Sequence, residues 1–215
     1  MKPPKGPVLI IRQLSLGQLQ TNCYIAGCED SREAIVIDPG DEVGRILAEL
    51  ERYKLKVTHI LNTHAHFDHI GANAALVKAT GAPLALHRMD VPLLKERGGA
   101  KYFGFEIPQS PDPDELLEEG SKISFGRYVL KTLFTPGHTP GHVSFYEASA
   151  GALFDGDVLF AGGVGRTDLP GGDQSRLLES IEKKLLVLPA DTVVYSGHGP
   201  TTTIGQERDI VLSYR

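Results

Sequence analysis

The sequence predicts an α/β fold of two β-sheets packed together with helices outside, and three observations lead there. In the first half, short apolar runs alternate with stretches of helical periodicity. From Ser121 onward the chain changes to short strands with close turn signals. Burying so many apolar strands within 215 residues calls for two packed sheets covered by helices. That length suits one compact domain, spanning residues 1–215.

The elements follow in order. Val8–Leu16 and Thr21–Ala26 read as strands joined at Gly17, and Ala34–Ile37 as a buried strand stopped by Asp38-Pro39-Gly40. Asp41 is placed to cap a helix whose apolar positions are Val43, Ile46, Leu47 and Leu50. Val57–Leu61 is the next buried strand. A helix is expected from Asp68, with Ile70, Leu76 and Val77 on its buried face and Gly81 at its end. Leu84–Leu86 is a short strand. Residues 88–118, with Gly98-Gly99, Pro108, Pro111 and Pro113, read as an irregular segment of the kind that covers a site. Ile123–Phe125, Tyr128–Phe134, His142–Tyr146 and Ala152–Phe154 fit consecutive antiparallel strands. Asp173 can cap a helix with Leu177, Leu178, Ile181 and Leu185 on one face and a Glu179–Lys183 pair on another. Val193–Tyr195 is a last strand, and Thr203–Tyr214 a terminal helix.

Composition excludes several functions. Hydrophobic residues are 41% and charged residues 23%, as in ordinary soluble domains. A net charge of −5 with no basic cluster argues against nucleic acid or an anionic membrane as partner. The apolar run at Val8–Ile11 is too short for a signal peptide, and no stretch approaches the ~20 apolar residues of a membrane span. The expected location is cytoplasmic. Cys23 and Cys28 have no further cysteine to join them and read as reduced thiols.

Chemistry concentrates in four turns. Thr63-His64-Ala65-His66-Phe67-Asp68-His69 places three histidines and a carboxylate within six residues, after an apolar strand. Imidazole nitrogen and carboxylate oxygen are ligands for divalent zinc or iron. Two Pro-Gly pairs stiffen Thr135–His142, where His138 is the candidate ligand and His142 a supporting or packing residue. Phe154-Asp155-Gly156-Asp157 offers a partly buried carboxylate, which needs a partner. Asp157 is the candidate, and chemistry alone leaves Asp155 in competition. Gly197-His198-Gly199 supplies a histidine with little crowding beside it. His64, His66, Asp68, His69, His138, Asp157 and His198 are too many for one tetrahedral zinc and fit two metals, with one carboxylate able to bridge. His59 and His87 read as structural.

The motif His-x-His-x-Asp-His, followed in order by His138, Asp157 and His198, resembles the metallo-β-lactamase superfamily. The resemblance runs from Ala34 to Gly199 and implies an αβ/βα four-layer sandwich of two mixed sheets flanked by helices. It implies a first metal on His64, His66 and His138, a second on Asp68, His69 and His198, and Asp157 as the bridge. Thr139-Pro140-Gly141-His142 and the run Gly165–Asp173 are similar to the glyoxalase II branch, whose members hydrolyse thioesters such as hydroxyacylglutathione. The implied reaction is attack of a hydroxide bridging two divalent metals, zinc with iron or manganese as alternatives, on a small-molecule thioester. Asp68 and Asp157 carry the catalytic roles. Two departures stand out. Only Thr201–Arg215 follow the last ligand, where glyoxalase II has a helical glutathione-binding domain. The glutathione-contacting segment is replaced by Gly163-Val164-Gly165-Arg166-Thr167, leaving Arg166 to hold a substrate carboxylate. The rival expectation is a persulfide dioxygenase with one iron on His64, His138 and Asp157.

Overall fold

The computed structural model describes residues 8–212. Met1–Gly6 and the end of the expected terminal helix, Ser213 and Tyr214, lie outside the described residues. The first sheet has six strands in spatial order: β1 (Leu9–Leu16), β2 (Thr21–Cys28), β3 (Glu33–Ile37), β4 (Lys56–Leu61), β5 (Leu84–His87) and β6 (Glu115–Leu117). β1 to β3 pair antiparallel and β3 to β6 parallel, so this sheet is mixed. In the second sheet β7 (Lys122–Phe125), β8 (Tyr128–Phe134), β9 (Val143–Glu147) and β10 (Ala152–Gly156) run antiparallel, as the close turn signals predict. A small ribbon, β11 (Leu159–Phe160) and β12 (Gly163–Val164), follows. β13 (Val193–Ser196) then joins β10 in parallel, and β14 (Thr202–Thr203) closes the edge.

Three apolar interfaces make four layers. Between the sheets, Tyr24, Ile35, Ile37 and Leu61 meet Phe125, Leu130, Phe145 and Phe154. On the far face of the first sheet, Ile25, Val36 and Ile60 bury against Ile46 and Leu50 of α1 (Val43–Arg52) and Leu76 of α3 (Asn73–Thr80). On the far face of the second, Leu133, Leu153 and Val194 meet Leu177 of α5 (Gln174–Ser180), Ile181 and Leu185 of the π-helical turn after it, and Ile204 of α6 (Ile204–Leu212). β2 and β3 supply side chains to both of their faces. That is why they read as unbroken apolar runs rather than alternating ones.

Several local expectations change. The single helix expected from Asp68 is broken into α2 (Phe67–Ile70) and α3. The break falls at Gly71-Ala72, where the chain passes so near that a Cβ on Gly71 would lie 2.3 Å from the Gly40 carbonyl oxygen. Asp41 does not cap α1. Glu42 holds the N-cap position in a left-handed conformation, and the Asp41 carboxylate accepts the Glu42 N–H at 2.6 Å. Residues 88–118 are more regular than expected. They contain α4 (Val91–Lys95), a 3₁₀ turn at Arg97–Phe103, and β6, which extends the first sheet. Asp173 does cap α5, accepting the Arg176 N–H, and Gly81 ends α3 with a positive φ. Cys23 and Cys28 are buried free thiols. Among the described residues no helix is long and apolar enough to cross a membrane.

The site-bearing turns all leave the carboxyl ends of strands: β4 gives His64–His69, β8 gives His138, β10 gives Asp157 and β13 gives His198. The parallel pairing of β10 with β13 brings the last two out side by side. Two alanine substitutions test this frame with opposite signs. A Cβ on Gly40 would sit 1.8 Å from the Asp68 carbonyl oxygen, so Gly40→Ala forces the metal-binding turn off the β3 loop and lowers the urea midpoint. Gly44, near the start of α1, has open space around it, and Gly44→Ala raises stability by about 0.5–1 kcal/mol in the same titration.

Candidate metal centre

All seven residues singled out in the sequence converge. Donor atoms of His64, His66 and His138 lie within 4.8 Å of one another, as do those of His64, His69 and Asp157, and those of Asp68, His69 and His198. The Asp157 carboxylate stands between the groups. Its Oδ1 is 3.6 Å from His69 Nε2, and its Oδ2 is 3.7 Å from His138 Nε2 and 3.6 Å from His198 Nε2. His198 Nε2 is 3.2 Å from Asp68 Oδ2. Asp155 points elsewhere: its two oxygens accept Ser144 Oγ–H at 2.6 Å and the Leu159 N–H at 2.7 Å. Asp157 faces the cluster and Asp155 faces the fold.

Hydrogen bonds around the imidazoles decide which nitrogen aims inward. His138 Nδ1 lies 2.8 Å from the Arg166 carbonyl oxygen. A carbonyl only accepts, so the proton sits on Nδ1 and the Nε2 lone pair faces the cluster. Asp38 does the same for His69, taking Nδ1–H at 3.0 Å. Asp38 also accepts the Thr63 hydroxyl at 2.7 Å, and Thr63 Oγ1 then faces His64 Nδ1 at 3.0 Å, which turns the His64 Nε2 lone pair inward. His142 is not a donor to the cluster. Its Nε2 accepts the Asp157 N–H at 3.1 Å and its Nδ1 meets Thr135 Oγ1 at 3.0 Å, so it holds the Asp157 backbone in place. His59 and His87 stand apart, His87 stacked on Phe134.

A bound cation fits this donor set. His64 Nε2, His69 Nε2 and Asp157 Oδ1 are buried and lack any hydrogen-bond partner, a state that buried polar atoms avoid unless something else satisfies them. The charges point the same way. Burial holds the His64 pKa well below its usual value, reinforced by His69 and His138. Burial and His138 lower His66 to about 3. For His69, burial acts to lower the pKa, but Asp68, Asp157 and Asp38 outweigh it and raise it well above the ordinary value. Burial would raise Asp68, yet His69 and His198 bring it to about 2. Asp157 is likewise lowered, with burial overcome by His69, His138 and His198. The site thus combines imidazoles kept neutral, His64 and His66, with ionised carboxylates that draw positive charge to His69, and ligation calls for neutral imidazole and ionised carboxylate.

A family model described as the metallo-β-lactamase superfamily matches residues 16–198. The chain belongs to the metallo-β-lactamase superfamily. With these donors it is a metal-dependent hydrolase of that superfamily. Among curated relatives it is 42% identical to the probable metallo-hydrolase YqgX of Bacillus subtilis, covering 92% of this chain and 94% of that one. It is 38% identical to the hydroxyacylglutathione hydrolase GloC of Haemophilus influenzae, over 88% and 90%. Among solved structures it superposes on the BLEG-1 B3 metallo-β-lactamase with a TM-score of 0.88 at 42% identity, covering 93% and 97%. TTHA1623 in a di-iron-bound form gives 0.84 at 45% identity, over 92% and 96%. ETHE1 from Myxococcus xanthus gives 0.76 at 32% identity, over 93% and 82%.

Four residues that organise the site escaped the sequence reading. Asp38 sat in a plain turn signal. Asp90 is fully buried and ties two of the site loops, accepting the Ala65 N–H at 3.0 Å, the Thr139 hydroxyl at 2.7 Å and the Gly141 N–H at 2.6 Å. Thr21 donates to Asp68 Oδ2 at 2.8 Å. Asn22 holds the His198 turn through the Ser196 and Gly199 carbonyls at 3.0 and 2.9 Å. The glycine before His198 has a different purpose from the one expected: a Cβ on Gly197 would lie 2.1 Å from Asp157 Oδ1, so it makes room for the carboxylate.

Asp38→Asn keeps the shape but turns an N–H toward His69 or Thr63. It should weaken metal binding roughly 10- to 100-fold in competition with a chromophoric chelator, without loss of fold by circular dichroism. Asp112→Ala, on the exposed surface beside Lys95, should leave metal affinity unchanged.

Proposed function

We propose that the protein hydrolyses thioesters of the S-hydroxyacylglutathione kind with two divalent metals, zinc first and iron or manganese as alternatives. The observation that carries this reading is the pair of donor groups meeting at Asp157: His64, His66 and His138 on one side, and Asp68, His69 and His198 on the other. In this reading the first group would hold one metal and the second another, with Asp157 placed to serve both. The likeness to GloC supports the substrate class.

Bound metals would supply Lewis acidity, bringing the pKa of water from about 15.7 to about 7 and polarising a carbonyl oxygen. The chain does the rest. Asp38, Thr63 and the Arg166 carbonyl hold protons on the outward nitrogens of His69, His64 and His138, so these three rings turn lone pairs into the site, and His138 Nε2 meets His66 Nδ1 there at 2.8 Å. On Asp68, Thr21, His69 and His198 all approach Oδ2, which leaves Oδ1 to hold a proton of the attacking water. The bond from carbonyl carbon to sulfur breaks, and the thiol leaves with the proton released from water. No serine or cysteine nucleophile is required.

Arg166 lines the cleft over the donors, and we assign it a substrate carboxylate. Its guanidinium is presently bidentate to Asp168, with both contacts at 2.7 Å and both side chains largely exposed. A substrate anion therefore competes with Asp168 for it. The iron dioxygenase expectation has the ETHE1 likeness behind it, but it uses only His64, His138 and Asp157 and leaves Asp68, His69 and His198 without a task.

Elemental analysis beside a hydroxyacylglutathione assay tests the proposal. Two metals per chain and hydrolysis without oxygen are expected, and His66→Ala should cost more than the roughly 100-fold typical of residues behind the ligands. One iron per chain with oxygen consumption on a persulfide would reject it in favour of the dioxygenase. Arg166→Ala should raise KM for an anionic thioester about two- to fivefold, the effect of one exposed charged contact, with kcat nearly constant.

A further inference from the structure

The cleft over the metal-binding residues has two unlike walls. His66, Asp68, His138, Asp157 and His198 form its floor, and Leu19, Phe67, Phe103, Phe105 and Leu169 face them across a cavity of about 220 Å³. Phe67 stacks with Phe105 at 4.9 Å between ring centroids and 27° between planes, and lies 5.5 Å from Phe103 at 32°. The three rings make one continuous apolar surface. Among the described residues, none of them belongs to the packed cores between the sheets or beneath the helices. Phe103 and Leu19 are each 44% exposed, so apolar area stands in water at the mouth of the site.

The wall is fixed to the catalytic turn. Gly98 has φ +62°, and a Cβ there would lie 2.2 Å from the Phe67 backbone nitrogen, so the 3₁₀ segment carrying Phe103 sits directly on the turn between His66 and Asp68. Gly104, at φ +74°, reverses the chain between Phe103 and Phe105 and delivers both rings to the same side. An adjoining lobe of about 150 Å³ shares Leu19, Phe67, Asp68 and Phe105 but is bounded by Gln18, Asp41 and Glu106. That lobe suits the amides and ammonium of a peptide-like thiol. The aromatic lobe is where an apolar group fits.

We propose that the substrate carries an apolar acyl group, preferably flat, joined directly to the scissile carbonyl and seated on Phe67, Phe103 and Phe105. This rests on the thioester-hydrolysis reading above and replaces its hydroxyacyl group with an apolar one. Water adds its oxygen to the carbonyl carbon, the carbon–sulfur bond breaks, and the products are the apolar carboxylic acid and the thiol.

The test uses glutathione thioesters of acetate, propanoate, butanoate and phenylacetate with the metal-loaded protein. kcat/KM should rise roughly fourfold per added methylene, the effect of burying one CH₂, and be highest for phenylacetyl. Phe103→Ala should flatten the series and Phe103→Leu restore most of the slope, while Val187→Ala, an exposed apolar change after the π-helical turn and outside the cleft lining, alters nothing. Calorimetric binding of the product acids gives a second readout that needs no turnover. Phenylacetate should bind at least tenfold more tightly than acetate, and Phe103→Ala should remove the difference. A flat thioester series, a slope that survives Phe103→Ala, or a response to size on the thiol side instead overturns the inference. If no thioester is hydrolysed, the proposed reaction falls, and the product acids then decide alone: equal affinity of acetate and phenylacetate overturns the inference as well.

Discussion

Everything at this site depends on where five imidazoles keep their protons. Each neutral ring has one N–H and one lone pair, and a metal centre works only if every lone pair faces in. For three of the rings, His64, His69 and His138, the protein does this with acceptors placed behind them. Asp38 is the chief of them, buried at the end of β3 and bonded to the Thr63 N–H, the Thr63 hydroxyl and His69. One carboxylate thereby orients two rings, His69 directly and His64 through Thr63. The Arg166 carbonyl orients a third. Such outer partners fix both the tautomer and the direction of a ligand.

That arrangement splits the cluster electrically. His64 and His66 are held neutral by burial and by the neighbouring imidazoles of His138 and His69. His69 and His198 sit against carboxylates that outweigh burial and draw protons toward them. The first group is thus ready to donate lone pairs, whereas in the second a cation takes the place of protons that Asp68 and Asp157 would otherwise hold nearby. Paired carboxylates and imidazoles this deep are costly without a counter-charge. Their burial is best understood as the complement of divalent metal rather than as a source of stability.

The layered fold and the seven residues that converge were legible because both are carried by local signals. Apolar runs mark strands, Gly and Pro mark turns, and ligand residues cluster right after strands. The supporting residues were not legible, for a physical reason. Asp38 reads as a turn residue until β3 and β4 are known to be parallel neighbours, and Asp90 reads as one more polar residue of an irregular segment until the loops of His66 and His138 are brought against it. The helix break at Gly71 and the short β6 likewise depend on distant partners, Gly40 and β5. No propensity encodes such pairings, since each is set by tertiary approach.

The same distinction separates reaction from specificity. The donors hang from strands that the three cores make rigid, and rigid elements hold catalytic geometry best. The opposing wall hangs from residues 97–105, where left-handed glycines at 98, 99 and 104 steer a segment outside those cores. Changing its aromatic residues alters what the cleft accepts without moving a ligand. Changing Gly98 is different, because its Cβ would press on the Phe67 nitrogen and so on the turn that holds His66 and Asp68. One glycine contact therefore couples the specificity wall to the metal-binding turn. The wall can vary in side chain while the backbone beneath it cannot.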